Sequence, residues 1–250
     1  MTGVQTCALP ICRSQVGGLS FNVSHSDSTN PGWFKEASVQ KVFWDFSNSP
    51  AIGFTPVWNA LKNGLTRSAA LAGMHSYARA LADANPATTT TISNILAAQG
   101  IAFPTSSPYA DNETNFGSPV MPNVNPIYLP YGAVSSTLGN ICLDNTADPL
   151  RHGNKAGEFR YVRLNLSQSG VRAFSITQTS STSGSSDPDF VLYDRTGGIF
   201  QGNGIGRNVE TASISLPAGD YVLAITDFNL YVPASGSGLN SNTCFSLTIQ

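Results

Sequence analysis

The periodicity of apolar residues divides this chain into a helical part and a strand-like part. Between about residues 30 and 100, apolar residues recur every three to four positions, which is the spacing of one face of an α-helix. Beyond about residue 155 they alternate with polar residues, as in a strand that buries one face. The pattern predicts an α+β chain of several domains, in which an α-helical lobe precedes an all-β, jelly-roll-like sandwich.

Four helices with short connections are predicted in the first part. Asn30 is expected to cap a helix that begins at Pro31, where a missing N–H costs no hydrogen bond. A short second helix is predicted at residues 56–61, and Thr66 is expected to cap the third. Gly100 is the predicted C′ glycine of the fourth.

The predicted domain boundaries follow the changes in pattern. Residues 13–102 form the helical lobe, residues 103–150 a connector with scattered prolines, and residues 151–250 the sandwich. The inward positions of the predicted strands are Val162, Leu164, Leu166, Phe190, Leu192, Ala212, Ile214, Leu216, Tyr221, Leu223, Ile225, Phe245, Leu247 and Ile249.

Composition narrows the classes of partner. Only 11% of the 250 residues are charged, against the usual ~25%, and the net charge is −2. No basic field exists to attract nucleic acid, and no run of ~18 apolar residues predicts a membrane span. A surface of neutral hydroxyls and amides is typical of exported bacterial proteins, so a secreted or periplasmic location is expected.

The first twelve residues are set aside. Residues 1–11 (MTGVQTCALPI) have no helical or strand period and resemble the in-frame translation of a sequencing adapter. Cys7 and Cys12 then carry no evolutionary meaning. We expect the natural protein to continue upstream, with its signal peptide and most of a catalytic domain there.

The two remaining cysteines, Cys142 and Cys244, lie far apart and lack the spacing of a zinc ribbon. A disulfide would tie the entrance of the sandwich to its last strand and would imply an oxidising compartment. The alternative is two buried free thiols, because cysteine often serves as a small apolar residue.

Two motifs of the sandwich carry a resemblance. Residues 187–193 (DPDFVLY) and 216–225 (LPAGDYVLAI) resemble the bacterial pre-peptidase C-terminal domain over about residues 155–250. In that family the first motif is a strand leaving an acidic turn, and the second is a hairpin strand entered through a glycine turn. The resemblance implies a β-sandwich that follows the catalytic part of a secreted peptidase and is often removed after export.

The helical part is similar to the C-terminal lobe of secreted zincin-type metallopeptidases that carry this appendage. The similarity rests on residues 32–45 (GWFKEASVQKVFWD). It implies a zinc-dependent parent that cleaves protein or peptide substrates. However, the H-E-x-x-H motif that places two zinc-binding imidazoles on one helix face is absent from the chain. Zinc is therefore expected in an upstream part, and this fragment is expected to be inactive.

Candidate metal ligands remain in the sandwich. Asp187, Asp189 and Asp194, with Asp227 as a possible fourth, offer the hard oxygen ligands that calcium prefers. Their spacing lacks the D-x-D-x-D-G loop, and an Asp-Pro-Asp sequence also makes an ordinary Asx turn. No cofactor is certain in the fragment itself.

Other polar candidates have a structural interpretation beside the functional one. His25 is interpreted as a loop histidine and His75 as a packing histidine of the third helix, and with His152 they show no ligand spacing. Glu36 could be a third zinc ligand, but it is also the acidic first-turn residue that a helix dipole favours.

An aromatic platform for sugars is the last candidate. It would combine Tyr221, Phe228 and Tyr231, although Tyr221 shares the inward face of its strand with Leu223.

Taken together, the resemblances favour a fragment of a secreted zinc metallopeptidase with a sandwich for secretion, stability or substrate binding. The alternative is a non-catalytic exported protein whose sandwich binds carbohydrate or a cell surface.

Overall fold

A computed structural model describes residue 24 and residues 31–115, 128–132, 136–144, 158–182, 184–202, 204, 208–231 and 242–250. The predictions for residues 1–12, His25 and His152 lie outside the described residues. The helical lobe consists of α1 (Glu36–Asn48), α2 (Phe54–Asn59), α3 (Met74–Ala84) and α4 (Thr89–Ala97). One π-turn (Ala60–Gly64) and one 3-10 turn (Leu65–Arg67) extend α2.

Two predicted helix starts are wrong. The first helix begins at Glu36 rather than Pro31, because the buried Ser38 hydroxyl accepts a hydrogen bond from Gly32 N (3.1 Å) and holds the preceding segment in a turn. The third helix begins at Met74 rather than after Thr66. Its N-cap is Gly73, whose N–H donates to Ser76 Oγ (3.0 Å). In both cases a serine hydroxyl inside the helix satisfies a backbone donor before it.

The predicted end of the fourth helix is confirmed. Gly100 has a φ of +63°, in the left-handed region that favours glycine. The amide of Ile101 then donates back to Leu96 O at 3.1 Å, which satisfies one of the free carbonyls at the end of α4.

The core of the helical lobe is formed by the inward faces of α1, α3 and α4. Phe43 and Phe46 pack against Tyr77 with ring centroids 4.6 and 6.2 Å apart. The Tyr77 hydroxyl donates to Val57 O (3.1 Å), which fastens α2 to α3. The fully buried apolar residues include Val42, Phe46, Ala78, Leu81, Ala82, Ile92 and Leu96.

The β-part is a sandwich of two sheets. One sheet has five strands in the order β1-β3-β8-β5-β6, and the other has four in the order β2-β9-β4-β7. All pairs are antiparallel except β1 with β3. The strands are β1 (Tyr128–Gly132), β2 (Ser136–Asp144), β3 (Arg160–Leu166), β4 (Gly170–Ser181), β5 (Pro188–Asp194), β6 (Gly197–Gly202), β7 (Val209–Leu216), β8 (Gly219–Asp227) and β9 (Asn242–Ile249), and a one-turn helix α5 (Phe228–Tyr231) follows β8.

The predicted inward positions of the sandwich are confirmed. Twelve of them are buried in a single apolar core between the sheets, and the remaining two, Ala212 and Ile214, pack against it. Strand β9 shows the expected alternation of buried and half-buried residues along its length.

The sandwich begins earlier along the chain than residue 151. Strands β1 and β2 both lie within the proline-containing range predicted as a connector. Strand β2 pairs with β9 along most of its length, and its Ile141 and Leu143 are fully buried in the sandwich core. Hydrophobic alternation is present in β2 but short, and the surrounding prolines obscure it.

The predicted disulfide is confirmed. Cys142 on β2 and Cys244 on β9 are register partners, and their sulfurs are bonded. The bond closes a loop of 102 residues and joins the first strand of the four-stranded sheet to the last strand of the chain.

Strand β8 is buried on both of its faces. Residues 221–227 are all buried, although an antiparallel sheet usually leaves one face to solvent. The inner face contributes Leu223 and Ile225 to the sandwich core, whereas Val222 on the outer face packs against Ala70 of the helical lobe and against Tyr109, which follows α4 in the range predicted as a connector. The helical lobe therefore covers the middle of the five-stranded sheet.

A buried arginine completes this contact. Arg163 on β3 is the register partner of Val222 and is only 8% exposed. Its guanidinium lies 4.7 Å from the centroid of the Tyr109 ring and forms an ion pair with Asp111. Tyr161, which also packs against this cluster, lies two residues before Arg163 and on the same face of β3.

We expect removal of the disulfide to destabilise the sandwich. The double variant Cys142→Ala, Cys244→Ala should lose roughly 2–5 kcal/mol of unfolding free energy, because a long loop gains entropy in the unfolded chain. Urea titration followed by circular dichroism measures this loss. An unchanged unfolding midpoint, or two alkylatable thiols at these positions in oxidised protein, would contradict the assignment.

Candidate functional site

Four carboxylates lie near one another at one end of the sandwich, and we call this group the acidic pole. It consists of Asp187 before β5, Asp189 on β5, Glu210 on β7 and Asp227 at the end of β8. Strands β5 and β8 are antiparallel, and Pro188 is the partner of Asp227, so the start of one strand meets the end of the other. The topology thus gathers carboxylates that are far apart in sequence.

Asp227 is the structural centre of the acidic pole. It is fully buried, and its Oδ1 accepts hydrogen bonds from the amides of Asp187 (2.9 Å) and Asn229 (3.0 Å). Its Oδ2 accepts from the Thr243 hydroxyl on β9 at 2.8 Å. Because both oxygens have donors, this carboxylate links three chain segments.

The other members of the acidic pole are less well compensated. Burial, followed by the charges of Asp187, Glu210 and Asp227, raises the pKa of Asp189 to about 6. Burial, followed by the charges of Asp227 and Glu210, also raises the pKa of Asp187. In addition, Asp187 Oδ1 is shielded from solvent and has no hydrogen-bond partner among the described residues. The acidic pole therefore favours the binding of a proton or another cation.

Asp194 does not belong to the acidic pole. It lies at the opposite end of β5, where its Oδ1 accepts from the amide (2.7 Å) and the hydroxyl (2.6 Å) of Thr196. These hydrogen bonds lower the pKa of Asp194. Of the three aspartates predicted as calcium ligands, the structure brings together Asp187 and Asp189 only. Within the described ranges, no three His, Cys, Asp or Glu side chains are arranged to hold a metal ion.

His75 is a buried packing histidine, as predicted. Its Nε2 lies 3.0 Å from Glu113 Oε2, and both residues are at most 4% exposed. The amide of Ala102 also donates to Oε2, and the amides of Thr114 and Asn115 donate to Oε1. Burial alone would raise the pKa of Glu113, but these hydrogen bonds outweigh it and lower the pKa. The pair fastens the loop after α4 to α3.

Glu36 is the first residue of α1 and is exposed. This is the position in which a carboxylate interacts favourably with the helix dipole. The alternative role as a zinc ligand gains no second ligand from the described residues.

The predicted aromatic platform is not assembled as expected. Tyr221 is a core residue, 4% exposed, and its hydroxyl donates to Pro217 O at 2.9 Å. Phe228 is 38% exposed, and the Tyr231 side chain lies outside the described residues.

A different aromatic pair is exposed on α2. The rings of Phe54 and Trp58 lie 6.4 Å apart with an angle of 14° between their planes, and both are more than half exposed. Sequence reasoning missed them because the predicted second helix, residues 56–61, starts after Phe54, so the two rings were not placed on one helix face.

A cleft of about 800 Å³ lies where the helical lobe meets the sandwich. Arg67 and Arg79 line it from the helical lobe, and Arg195 and Asp220 line it from the sandwich. The sequence carries no local signal for this site because its walls come from segments more than a hundred residues apart.

Comparison with known proteins gives no family assignment. No protein-family model matches the chain, and no curated protein matches it. Among solved structures, the pre-peptidase C-terminal domain of a Bacillus anthracis collagenase is similar with 13% identity, a TM-score of 0.32, and coverage of 49% of this chain and 92% of that one.

Two further solved structures show the same level of similarity. The periplasmic g-type lysozyme inhibitor PliG of Aeromonas hydrophila has 13% identity, a TM-score of 0.28, and coverage of 49% of this chain and 96% of that one. A family 35 carbohydrate-binding module from Clostridium thermocellum has 12% identity, a TM-score of 0.27, and coverage of 45% and 90%. Scores this low carry no functional argument, so the β-sandwich assignment rests on the strand order of the chain itself. None of the helices in the described residues has the length and apolar character needed to cross a membrane.

The acidic pole should make stability depend on pH. The pKa of Asp189 is about 6 in the folded chain against an ordinary 3.8, so the folded state binds this proton more tightly. Stability contributed by this proton is present at low pH and is lost as pH rises from about 4 to about 6. The melting temperature should therefore rise when pH is lowered from about 7 to about 5.

The variant Asp189→Asn isolates the effect. Its amide does not titrate, so its melting temperature should exceed that of the natural sequence at neutral pH and vary less between about pH 7 and about pH 5. Asp194→Asn is the matched control, because the lowered pKa of Asp194 places its titration below this window. Parallel curves for the natural chain and Asp189→Asn would contradict the raised pKa.

Proposed function

We propose that this chain is the non-catalytic C-terminal part of a secreted bacterial zinc metallopeptidase. In this proposal the helical lobe completes the peptidase domain, and the sandwich is an appendage that supports secretion, stability or substrate binding. The observation that carries the proposal is the buried contact of Arg163 and Val222 with Tyr109. An appendage docked on the lobe in this way can act together with the domain to which the lobe belongs.

Among the described residues, no group of side chains fits a zinc site. His75 Nε2 is bonded to Glu113, and both oxygens of Glu113 accept backbone amides. In the proposal, zinc is bound by an upstream H-E-x-x-H helix, where it would activate water for hydrolysis of the peptide bond. No catalytic step is therefore assigned to the residues of this fragment.

The complete gene provides the test. We expect an H-E-x-x-H motif upstream, protein hydrolysis that chelation abolishes, and loss of hydrolysis when the glutamate of that motif becomes glutamine. The present chain alone should hydrolyse no protein substrate. A complete gene without the motif, or hydrolysis by this chain alone, would contradict the proposal.

Calcium at the acidic pole is a subsidiary proposal. Asp187 and Asp189 supply oxygen ligands whose pKa values are raised by burial and then by the neighbouring carboxylates, and a divalent cation would stabilise their charged forms. Calcium should then raise the melting temperature of the natural chain, but not that of Asp189→Asn. An equal response of the two proteins would remove calcium from this site.

A second candidate function is binding of a surface polysaccharide by an exported, non-catalytic protein. The observation that favours it is the exposed pair of Phe54 and Trp58, because nearly parallel rings can stack against sugar rings. Affinity electrophoresis tests it: neutral polysaccharides should retard the chain. Trp58→Ala should abolish the retardation, whereas the control variant Val171→Ala should keep it. Equal migration with and without polysaccharide would reject it.

A further inference from the structure

The cleft between the two lobes has the position and size of a binding site. Its volume of about 800 Å³ falls in the range of about 300–1,000 Å³ typical of ligand sites, and such sites often lie between domains. Its walls come from two bodies that the Tyr109–Arg163 contact holds together. The cleft is therefore a product of the docked arrangement.

The cleft carries one cation that has no partner among the described residues. Arg79 donates hydrogen bonds to Asp83 Oδ1 and to the carbonyl oxygens of Pro104 and Thr105. Arg67 is exposed, and among the described residues it has no hydrogen-bond or ion-pair partner.

The arginine and the aspartate that line the cleft from the sandwich also neutralise each other. Arg195 Nη2 donates to Asp220 Oδ2 (3.1 Å), and Asn165 Nδ2 donates to Asp220 Oδ1 (2.7 Å). With three arginines and two aspartates on its walls, the cleft keeps one positive charge in a chain whose net charge is −2. A ligand with one negative group would complement it, and guanidinium matches a carboxylate particularly well.

The floor of the cleft favours a peptide over a sugar. Small apolar side chains, including Ala60, Ala80 and Ala84, line it, and Tyr109 is its one aromatic lining residue among those described. One face of the Tyr109 ring is already covered by Arg163. A Cβ at Gly64 would lie 2.7 Å from Ala80 Cβ, so close helix packing keeps this floor smooth. Apolar side chains of a peptide can rest on such a floor, whereas a pyranose ring would find no free aromatic face.

We propose that this cleft binds the C-terminal end of a short peptide, with the terminal carboxylate paired to Arg67. The exposed amides of Asn59 and Asn63 lie on the same wall and can bond to the peptide backbone. This binding belongs to the present chain and does not depend on hydrolysis by a parent protein.

Fluorescence anisotropy tests the proposal with two pools of random-sequence pentapeptides that carry the same neutral N-terminal fluorophore. One pool ends in a free carboxylate and the other in an amide. We expect the acid pool to bind at least about tenfold more tightly, which corresponds to the loss of one charge-assisted hydrogen bond. In Arg67→Gln the affinity for the acid pool should fall by a similar factor, and the preference for the acid should disappear.

Lys62→Gln is the matched control, because Lys62 carries the same unit charge in the π-turn that precedes the 3-10 turn of Arg67 but does not line the cleft. It should retain the preference for the acid pool. Equal binding of the two pools, no binding of the acid pool at millimolar concentration, or an unchanged preference in Arg67→Gln would overturn the proposal. Displacement of the acid pool by an oligo-uronate of equal charge at lower concentration would also overturn it, in favour of an acidic polysaccharide.

Discussion

Burial of the outer face of β3 and β8 against the helical lobe is the contact on which the rest of the structure depends. Arg163 and Val222 are neighbours in the sheet, and the ring of Tyr109 covers both. An arginine can occupy such a position because its guanidinium keeps both a carboxylate and an aromatic face as partners. The contact converts an α-lobe and a β-sandwich into one assembly and creates the cleft between them.

Some charged groups of the chain are buried with several hydrogen-bond donors and stabilise the fold, whereas others lack such partners. Asp227 and Glu113 are buried, and their oxygens accept several hydrogen bonds each, so they fasten loops. By contrast, Asp189 at the end of the sandwich and Arg67 in the cleft lack such compensation. In a chain with only 11% charged residues, uncompensated charges are the positions where a proton, a cation or an anionic ligand has most to gain.

Local periodicity was sufficient to predict the inward faces of the strands, because burial of one face leaves a direct record in the sequence. The disulfide could be predicted as one of two alternatives. The helix starts at Glu36 and Met74 could not be predicted, because a serine hydroxyl inside each helix replaced the expected cap. Most of the acidic pole was predicted: Asp187, Asp189 and Asp227 were recognised, whereas Glu210 joins them only through the pairing of strands distant in sequence. The Tyr109–Arg163 contact is likewise a property of tertiary packing.

The central claim is that the helical lobe and the sandwich form one cooperative unit through this contact. Differential scanning calorimetry of the natural chain, of Arg163→Ala and of Arg195→Ala tests it most directly. We predict a single unfolding transition whose calorimetric and van't Hoff enthalpies agree. Arg163→Ala should lower the free energy of unfolding by about 1–3 kcal/mol. Arg195→Ala should lower it by less than about 1 kcal/mol, because its ion pair is exposed. Two separate transitions, with the helical one unaffected by Arg163→Ala, would contradict the claim.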